Sequence, residues 1–434
     1  MCKYGLDDFL RLLIGAGLAV SMETAAQDAV GQDRHWTPVF ESGRAERYHH
    51  AMAFDSARGV VVLFGGLKKH GPRGGTTRSG ETWEWDGVDW ELVAETGPSP
   101  RTEPVMAYDS VRGVVVLFGG EDPYTRNDTW EWDGRQWRQV AETGPFGVGS
   151  HAAMVYDVDR RVTILFDGQN RVTWAWDGVE WRHISVGGPT QRSYHAIAYD
   201  SDRRVIVLFG GWVRFINRGE YLGDTWEWDG VDWKQVAGTG PSRPTRRREA
   251  TMAYDRGRRR TVLFGGDGGQ AGLHDDTWEW DGVEWARGAV NPPPRRRGHA
   301  MAYDSNRDAL VLAGGADYDG PFGDTWELRR LELGVEATCP DGGSMRIEWS
   351  GATPRGRIAL LFGRNANGTV IPQGNPCAGV SLGIRGGVRI LLEGTTGTGG
   401  GAVIITEHGP AACGGHLQLL DLTTCATSNV ARIE

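Results

Sequence analysis

The sequence predicts an all-β chain, in which a closed ring of six four-stranded sheets is followed by a small C-terminal β-sandwich. Three observations carry this. One pattern of about fifty residues recurs six times, and each copy is built from short runs that alternate apolar and polar residues. Glycine is also abundant, with 65 of 434 residues, and suits a chain made of tight turns.

The first half of the pattern is HAMAFDSARGVVVLFGG, beginning at His50. It returns from Pro104, Ala153, His195, Ala250 and His299, with landmark aspartates at Asp55, Asp109, Asp157, Asp200, Asp255 and Asp304. Two β-rich runs flank an Asp-Ser-x-Arg-Gly segment whose residues favour a tight turn, so this half predicts a hairpin. The second half is ETWEWDGVDWELV from Glu81, repeated with small changes in the next four copies. Alternation on both sides of an Asp-Gly pair predicts a second hairpin, with a two-residue turn that needs positive φ. Each copy is therefore a four-stranded antiparallel meander. Such a sheet cannot bury both faces alone, so neighbours stack, and a closed ring of six leaves no bare end.

A hydrophobic run ending in Gly-Gly, followed by spaced aromatics, resembles the kelch repeat of the galactose-oxidase-like β-propellers. The resemblance spans about residues 36 to 330 and implies a six-bladed propeller. For function it implies little, because kelch propellers include oxidases, isomerases, specifier proteins and plain binding platforms.

Closure is also legible. The sixth copy stops at DTWELRRLEL, with Trp326 present but neither the Asp-Gly turn nor a fourth-strand Trp. Trp36 to Phe40, WTPVF, precedes the first copy and resembles fourth-strand segments such as DWELV. It is expected to complete the last blade and pin the ends of the ring together.

Beyond about residue 333 the runs SMRIEWSG, GRIALLFG, GVRILLEG, GAVIITE and HLQLLDL suggest a sandwich of immunoglobulin or fibronectin type, with Trp349 in its core. Cys339, Cys377, Cys413 and Cys425 all fall in this segment, without the close spacing of a zinc knuckle. They are expected to form two disulfides, which implies an oxidising compartment, and three pairings stay open. At the other end, Leu12 to Val20 is a short apolar core between Lys3 and Arg11, with small residues at Thr24 to Ala26. Asp7 and Asp8 depart from a positive leader, yet the pattern reads as a signal peptide over 1–26, then a linker over 27–35. The expected domains are the propeller at 36–332 and the sandwich at 333–434, secreted, periplasmic or at the cell surface.

The formal net charge of -9 argues against a nucleic-acid platform. No run approaches the ~18 apolar residues of a membrane span. Chemistry is harder to find. Residues 36–330 contain no cysteine, so the cross-linked tyrosine–cysteine of a copper radical oxidase cannot form there. The recurring Trp-Asp-Gly lacks the residue that a sialidase aspartate box has between Asp and Gly. No specifier-type iron motif, P-loop or nucleophile elbow appears, and no cofactor is implied. Asp122, Asp267, Asp275 and Asp317 in the loops could pair for acid–base work or bind calcium, or be solvated loop residues.

Trp83, Trp130, Trp174, Trp226, Trp278 and Trp326 recur at one position and are assigned to blade packing. Trp212 is unique to one loop, and with Phe215 and Tyr221 it forms a candidate ligand surface. Arginines precede each first strand except the third: Arg47, Arg101, Arg192, Arg247 with Arg248, and Arg296 with Arg297. In kelch propellers these loops and the loops after Gly-Gly share one face at the channel mouth. The arginines are thus either ties between loops, in a chain whose only lysines are Lys3, Lys68, Lys69 and Lys234, or donors to an acidic ligand. As a ring, Arg47, Arg101, Arg192, Arg248 and Arg296 are the best candidate site. The expected function is recognition of a glycan or protein ligand by the loops of this face. The alternative is a carbohydrate-active or isomerising enzyme at the channel mouth.

Overall fold

The structure is a computed structural model. It describes residues 34–40, 46–70, 75–148, 152–215, 218–288 and 292–330, then 332–337, 343–350, 357–363, 365–370, 381–385, 389–395, 402–408, 416–421 and 431–432. Six four-stranded antiparallel sheets form the blades of a β-propeller. Blade one is built from strands Ala51–Asp55, Val60–Phe64, Thr82–Trp85 and Trp90–Ala94, in that order from the axis outward. The first strands of successive blades pack against one another around the axis, and that of blade six, Ala300–Asp304, returns to that of blade one. The ring is closed.

Alternation along the second strand explains the stacking. Val62 and Phe64 of blade one share a buried cluster with Val115 and Leu117 of blade two, while Val116 and Phe118 point the other way and meet Leu165 of blade three. Each such side chain contributes about 1.5–3 kcal/mol on burial, and a one-residue slip would turn the whole set inside out. The tryptophans divide this work in an order the sequence did not reveal. The second Trp of each TWEW or TWAW run, at Trp85, Trp132, Trp176, Trp228 and Trp280, is wholly buried. The fourth-strand Trp donates its indole N–H across the interface, Trp137 to Thr82 at 2.8 Å and Trp285 to Thr225 at 2.9 Å. The first Trp, assigned to blade packing above, is half-buried at Trp83, Trp130, Trp174, Trp226 and Trp326, and only Trp278 is buried.

Closure follows the expected plan. The sixth sheet runs Ala300–Asp304, Ala309–Ala313, Thr325–Arg330 and then Arg34–Phe40 as its outermost strand. Trp36 is fully buried in it. Its sequence precedes the first copy and its partner belongs to the sixth, so pairing joins first and last repeats.

The turns differ in detail from expectation. Trp85 and Trp90 are the last cross-strand pair, which leaves four residues, Asp86 to Asp89, rather than two. The Asp86 carboxylate accepts the N–H groups of Val88 and Asp89 at 2.8 and 2.9 Å, an Asx turn that stabilises the longer loop. Gly87 does adopt positive φ, +101°, and a Cβ there would meet the Arg307 guanidinium at 2.8 Å. In the first hairpin, Asp55 likewise accepts the N–H groups of Ala57 and Arg58.

The C-terminal segment contains a three-stranded sheet of Glu332–Ala337, Gly343–Ser350 and Ala402–His408, and a four-stranded one of Arg389–Thr395, Arg357–Gly363, His416–Asp421 and Ala431–Arg432. Ile347, the run Ile358 to Leu361, and Leu417, Leu419 and Leu420 are buried. Cys339, Cys377, Cys413 and Cys425, and the leader assigned to residues 1–26, lie outside the described residues. No helix among the described residues is long and apolar enough to cross a membrane.

Candidate functional site

The site lies where the inter-blade segments meet the segments that follow Gly-Gly. These two kinds of segment touch through isolated bridges, Tyr48 to Leu67, Thr102 to Glu121, Ser193 to Trp212, Arg248 to Asp267 and Arg297 to Ala316. The Gly-Gly pair permits this approach, since a Cβ on Gly66 would stand 2.8 Å from both the Tyr48 carbonyl and the His50 Cβ.

The arginines that open each copy are not at the surface. Arg47, Arg101, Arg192, Arg247 and Arg296 are at most 1% exposed. Each bonds the first carbonyl of the Gly-Gly pair eighteen residues on, as Arg192 does to Gly210 at 2.9 Å. Each also pairs with the carboxylate two residues before the first Trp. Arg192 grips Asp224 with both terminal nitrogens at 2.9 Å, Arg101 grips Asp128 at 2.7 and 3.0 Å, and Arg296 grips Asp324 at 2.6 and 2.7 Å. Arg247 pairs likewise with Asp276, and Arg47 with Glu81. The first Trp seals the pair, Trp226 donating its indole N–H to Asp224 at 2.6 Å. Burial pushes the Asp224 carboxyl up, but the bonds and charge of Arg192 outweigh it and hold it below the usual carboxylate range. These side chains tie loops together within their own blades, and little of their surface is left to meet a ligand.

Of the candidates named from sequence, the structure brings together Arg248, Trp212 and Tyr221. The Arg248 guanidinium lies 5.8 Å from the Trp212 ring, 5.6 Å from Tyr221 and 5.7 Å from Tyr194. Trp212 and Tyr221 are cross-strand partners on the extended hairpin of blade four, Val205–Arg214 and Gly219–Trp228. Phe215 sits apart near the tip, 49% exposed, with Arg218 over its ring. Arg248 also bonds Asp267 at 3.0 and 3.1 Å.

A second group was not singled out from sequence. The residue two places after each opening arginine adopts positive φ: His49 (+56°), Glu103 (+56°), Tyr194 (+55°), Glu249 (+54°) and Gly298 (+61°). In blade three the equivalent position falls within 149–151, outside the described residues. Their backbones link blade to blade: His49 N–H donates to Gly298 at 2.7 Å, Glu103 to His49 at 2.8 Å, Glu249 to Tyr194 at 3.0 Å and Gly298 to Glu249 at 3.3 Å. The side chains reach further. His49 places Nδ1 3.2 Å from Glu103 and Nε2 3.2 Å from Glu249, thereby joining blade one to blades two and five. Tyr194 of blade four hydrogen-bonds Glu103 of blade two. Contacts between non-adjacent blades place this cluster at the axis.

The two carboxyls flanking His49 are driven apart. Burial raises Glu103, with Glu121 and Glu249 adding to it, and the attraction of His49 does not offset them. Burial also works to raise Glu249, but the hydrogen bond and charge of His49, with Arg297 and Arg248, bring it below its ordinary value. Arg297 stands 3.7 Å from Glu249 and 3.8 Å from Asp267 and is 33% exposed, so its guanidinium faces the mouth without a close partner in that pair. Among the described residues, no group of three or more His, Cys, Asp or Glu is placed to hold a metal ion. The sequence marked this position only weakly: two places after each opening arginine the residue changes from His to Glu, Tyr, Glu and Gly, but the place between varies as well, from Tyr48 to Thr102, Ser193, Arg248 and Arg297.

Fold and site together define a six-bladed β-propeller with a polar axial cluster at one end. No family profile matches the chain, and no curated protein matches it. Among solved structures it is similar to one titled "Structure of YjhT", with a TM-score of 0.51 and 13% identity, over 69% of this chain and 97% of that one. At that identity the likeness carries the fold alone.

Proposed function

We propose that this protein is a kelch-type binding propeller, exported from the cytoplasm, that recognises a glycan or protein ligand on the axial face bearing Arg248 and Arg297. The observation that carries the reading is the convergence there of chemically different side chains from five blades, His49, Glu103, Tyr194, Glu249 and Arg297, while the buried arginine ties and the stacking positions repeat. Loops that differ on a rigid frame are where recognition is built. Arg248 and Arg297 favour an acidic group on the ligand, and the rings of Trp212 and Tyr221 offer an apolar wall beside it.

The test is a glycan and peptide array probed with the full chain, with and without EDTA. Binding that survives EDTA and is lost in Arg248→Ala or Tyr221→Ala supports the assignment. A ligand whose binding ignores both substitutions and Arg297→Ala would move the site elsewhere. Export is tested by fractionation, and a chain found wholly in the cytoplasm removes that part of the proposal.

A further inference from the structure

We infer that the axial face pairs with a second copy of this chain, the two rings meeting face to face about a two-fold axis that lies across the mouth through blades two and five. This rests on the reading that the axial face is the one that recognises, and it names the partner.

Among the described residues the exposed aromatic side chains are Tyr124, Phe146, Phe215 and Tyr318, at 81%, 86%, 49% and 72%. All four lie at the axial end. Tyr124, Phe215 and Tyr318 belong to the segments after Gly-Gly in blades two, four and six, and Phe146 to the connection from blade two to blade three. At the turn end the exposed apolar side chains are single valines, such as Val88, Val179, Val231 and Val283. Aromatic rings left in water at one end of a ring mark a surface that another molecule covers.

Charge divides two of these tips. Phe215 stands between Arg214 and Arg218 at the end of the blade-four hairpin, and Tyr318 between Asp317 and Asp319 in blade six. The contacts of these groups are local, with Arg218 over the Phe215 ring and Asp317 accepting the N–H groups of Asp319 and Gly320. Blade five keeps the two tips apart within one chain. In a ring of six, a two-fold axis through blades two and five exchanges blade four with blade six. The basic tip of each copy then faces the acidic tip of the other, twice over, and Tyr124 of blade two lies along the axis, where it meets its own copy.

The same axis exchanges the connection after blade two with the connection after blade one. Phe146 and Ser99 hold the same place in these connections, each following the run Glu-Thr-Gly-Pro. Ser99 lines a cleft of about 500 Å3, together with Thr77, Arg78, Thr96, Pro98 and Pro100 among others. The pairing therefore sets the most exposed aromatic ring of one copy over a cleft of the other, where two prolines receive it. An aromatic anchor in a pocket is what dominates a protein interface. The long blade-one hairpin, Leu67–His70 with Gly75–Arg78, falls opposite blade three, whose second and third strands are joined by residues 168–171 alone.

Sedimentation velocity on the full chain, over a range of concentrations, tests the pairing. The expected result is a monomer–dimer equilibrium, with Phe146→Ser raising the dissociation constant about tenfold or more. Arg214→Glu with Arg218→Glu makes both tips acidic and should leave a monomer. Asp317→Arg with Asp319→Arg makes both basic and should do the same. Mixing these two monomers should restore a dimer with one chain of each, because both contacts across the axis then join opposite charges. Recovery on mixing also shows that both variants are folded. A chain that stays monomeric at every concentration overturns the pairing, as does a dimer that both charge variants leave intact or that mixing fails to restore. A monomer whose array binding falls in Phe146→Ser gives the face to the array ligand, which overturns the pairing and upholds the reading beneath it. A dimer with nothing bound on the array upholds the pairing and removes the glycan from that reading.

Discussion

The two ends of the propeller are built from the same repeats and treated in opposite ways. At the end bearing the Asp-x-x-Arg turns, four blades repeat one solution, whereas in blade three Ala175 replaces the glutamate and Arg160 bonds Asp157 and the Asp229 carbonyl, and in blade five Arg258 bonds Glu279 with both terminal nitrogens. Arg58, Arg112, Arg203 and Arg307 each bond the turn aspartate three residues back and a third-strand glutamate, Arg203 reaching Asp200 and Glu227 both at 2.7 Å. First-strand tyrosines tie this end from blade to blade, Tyr254 donating to Asp202 at 2.5 Å and Tyr199 to Asp159 at 2.6 Å. Burial and the adjacent Asp55 push the Tyr108 hydroxyl up to about 12. At the axial end the corresponding position holds a different residue in almost every blade, and the contacts cross the axis instead of repeating around it. Repetition marks what a blade needs in order to stack, and divergence marks what the ring as a whole can do.

The comparison can be broken most severely at the buried arginines. Arg192→Ala should cost about 3 kcal/mol, because the half-buried Asp224 would lose its partner and the Gly210 carbonyl its donor, and urea denaturation would read this as a lower midpoint. A loss below about 1 kcal/mol would mean that Arg192 is not a tie. Arg248→Ala, on the same face but half-buried, should instead change stability by about 1 kcal/mol or less while abolishing array binding.

A second test uses acid. His50 and His299 are wholly buried, and burial, followed by the charges of Arg47 and Arg296 respectively, lowers both, His299 to about 3. Their folded values lie below the unfolded value near 6.5, so their contribution is complete above that pH and is lost as pH falls. For His299 the loss should run at about 1.4 kcal/mol per pH unit between pH 6.5 and about 3, and His50 should add to it in the same direction. Stability measured from pH 7 to 4 should slope downward, more gently in His299→Gln. An identical slope in that variant would refute the assignment.

Smaller effects sharpen the contrast between the ends. Tyr108→Phe should lose about 1 kcal/mol, the value of one hydrogen bond, and the first copy already carries Phe54 at that position. Glu103→Gly should change stability by about 1 kcal/mol or less, because relief of the left-handed backbone offsets the lost contact with His49. If Glu103→Gly were far more damaging than Tyr108→Phe, the axial cluster would be a structural pin and the distinction between the ends would fail.

The sequence by itself determined the repeat, its four strands, the count of six and the closure by residues 36–40. These follow from local periodicity and from counting half-repeats, and neither requires knowing what lies across an interface. It also placed Trp212, Tyr221 and Arg248 among the residues of one face. It put Arg248 into one ring with Arg47, Arg101, Arg192 and Arg296, although the enclosed Arg247 is their equivalent and Arg248 lines the mouth, because consecutive residues entering a strand point in opposite directions and only packing says which way is in. The order of the two tryptophans in TWEW was hidden for the same reason. Only the tertiary structure assembled the axial cluster, because His49, Glu103, Tyr194 and Glu249 are up to two hundred residues apart. Closing a ring brings the same point of every repeat to one axis, and no local pattern records which side chains meet across it.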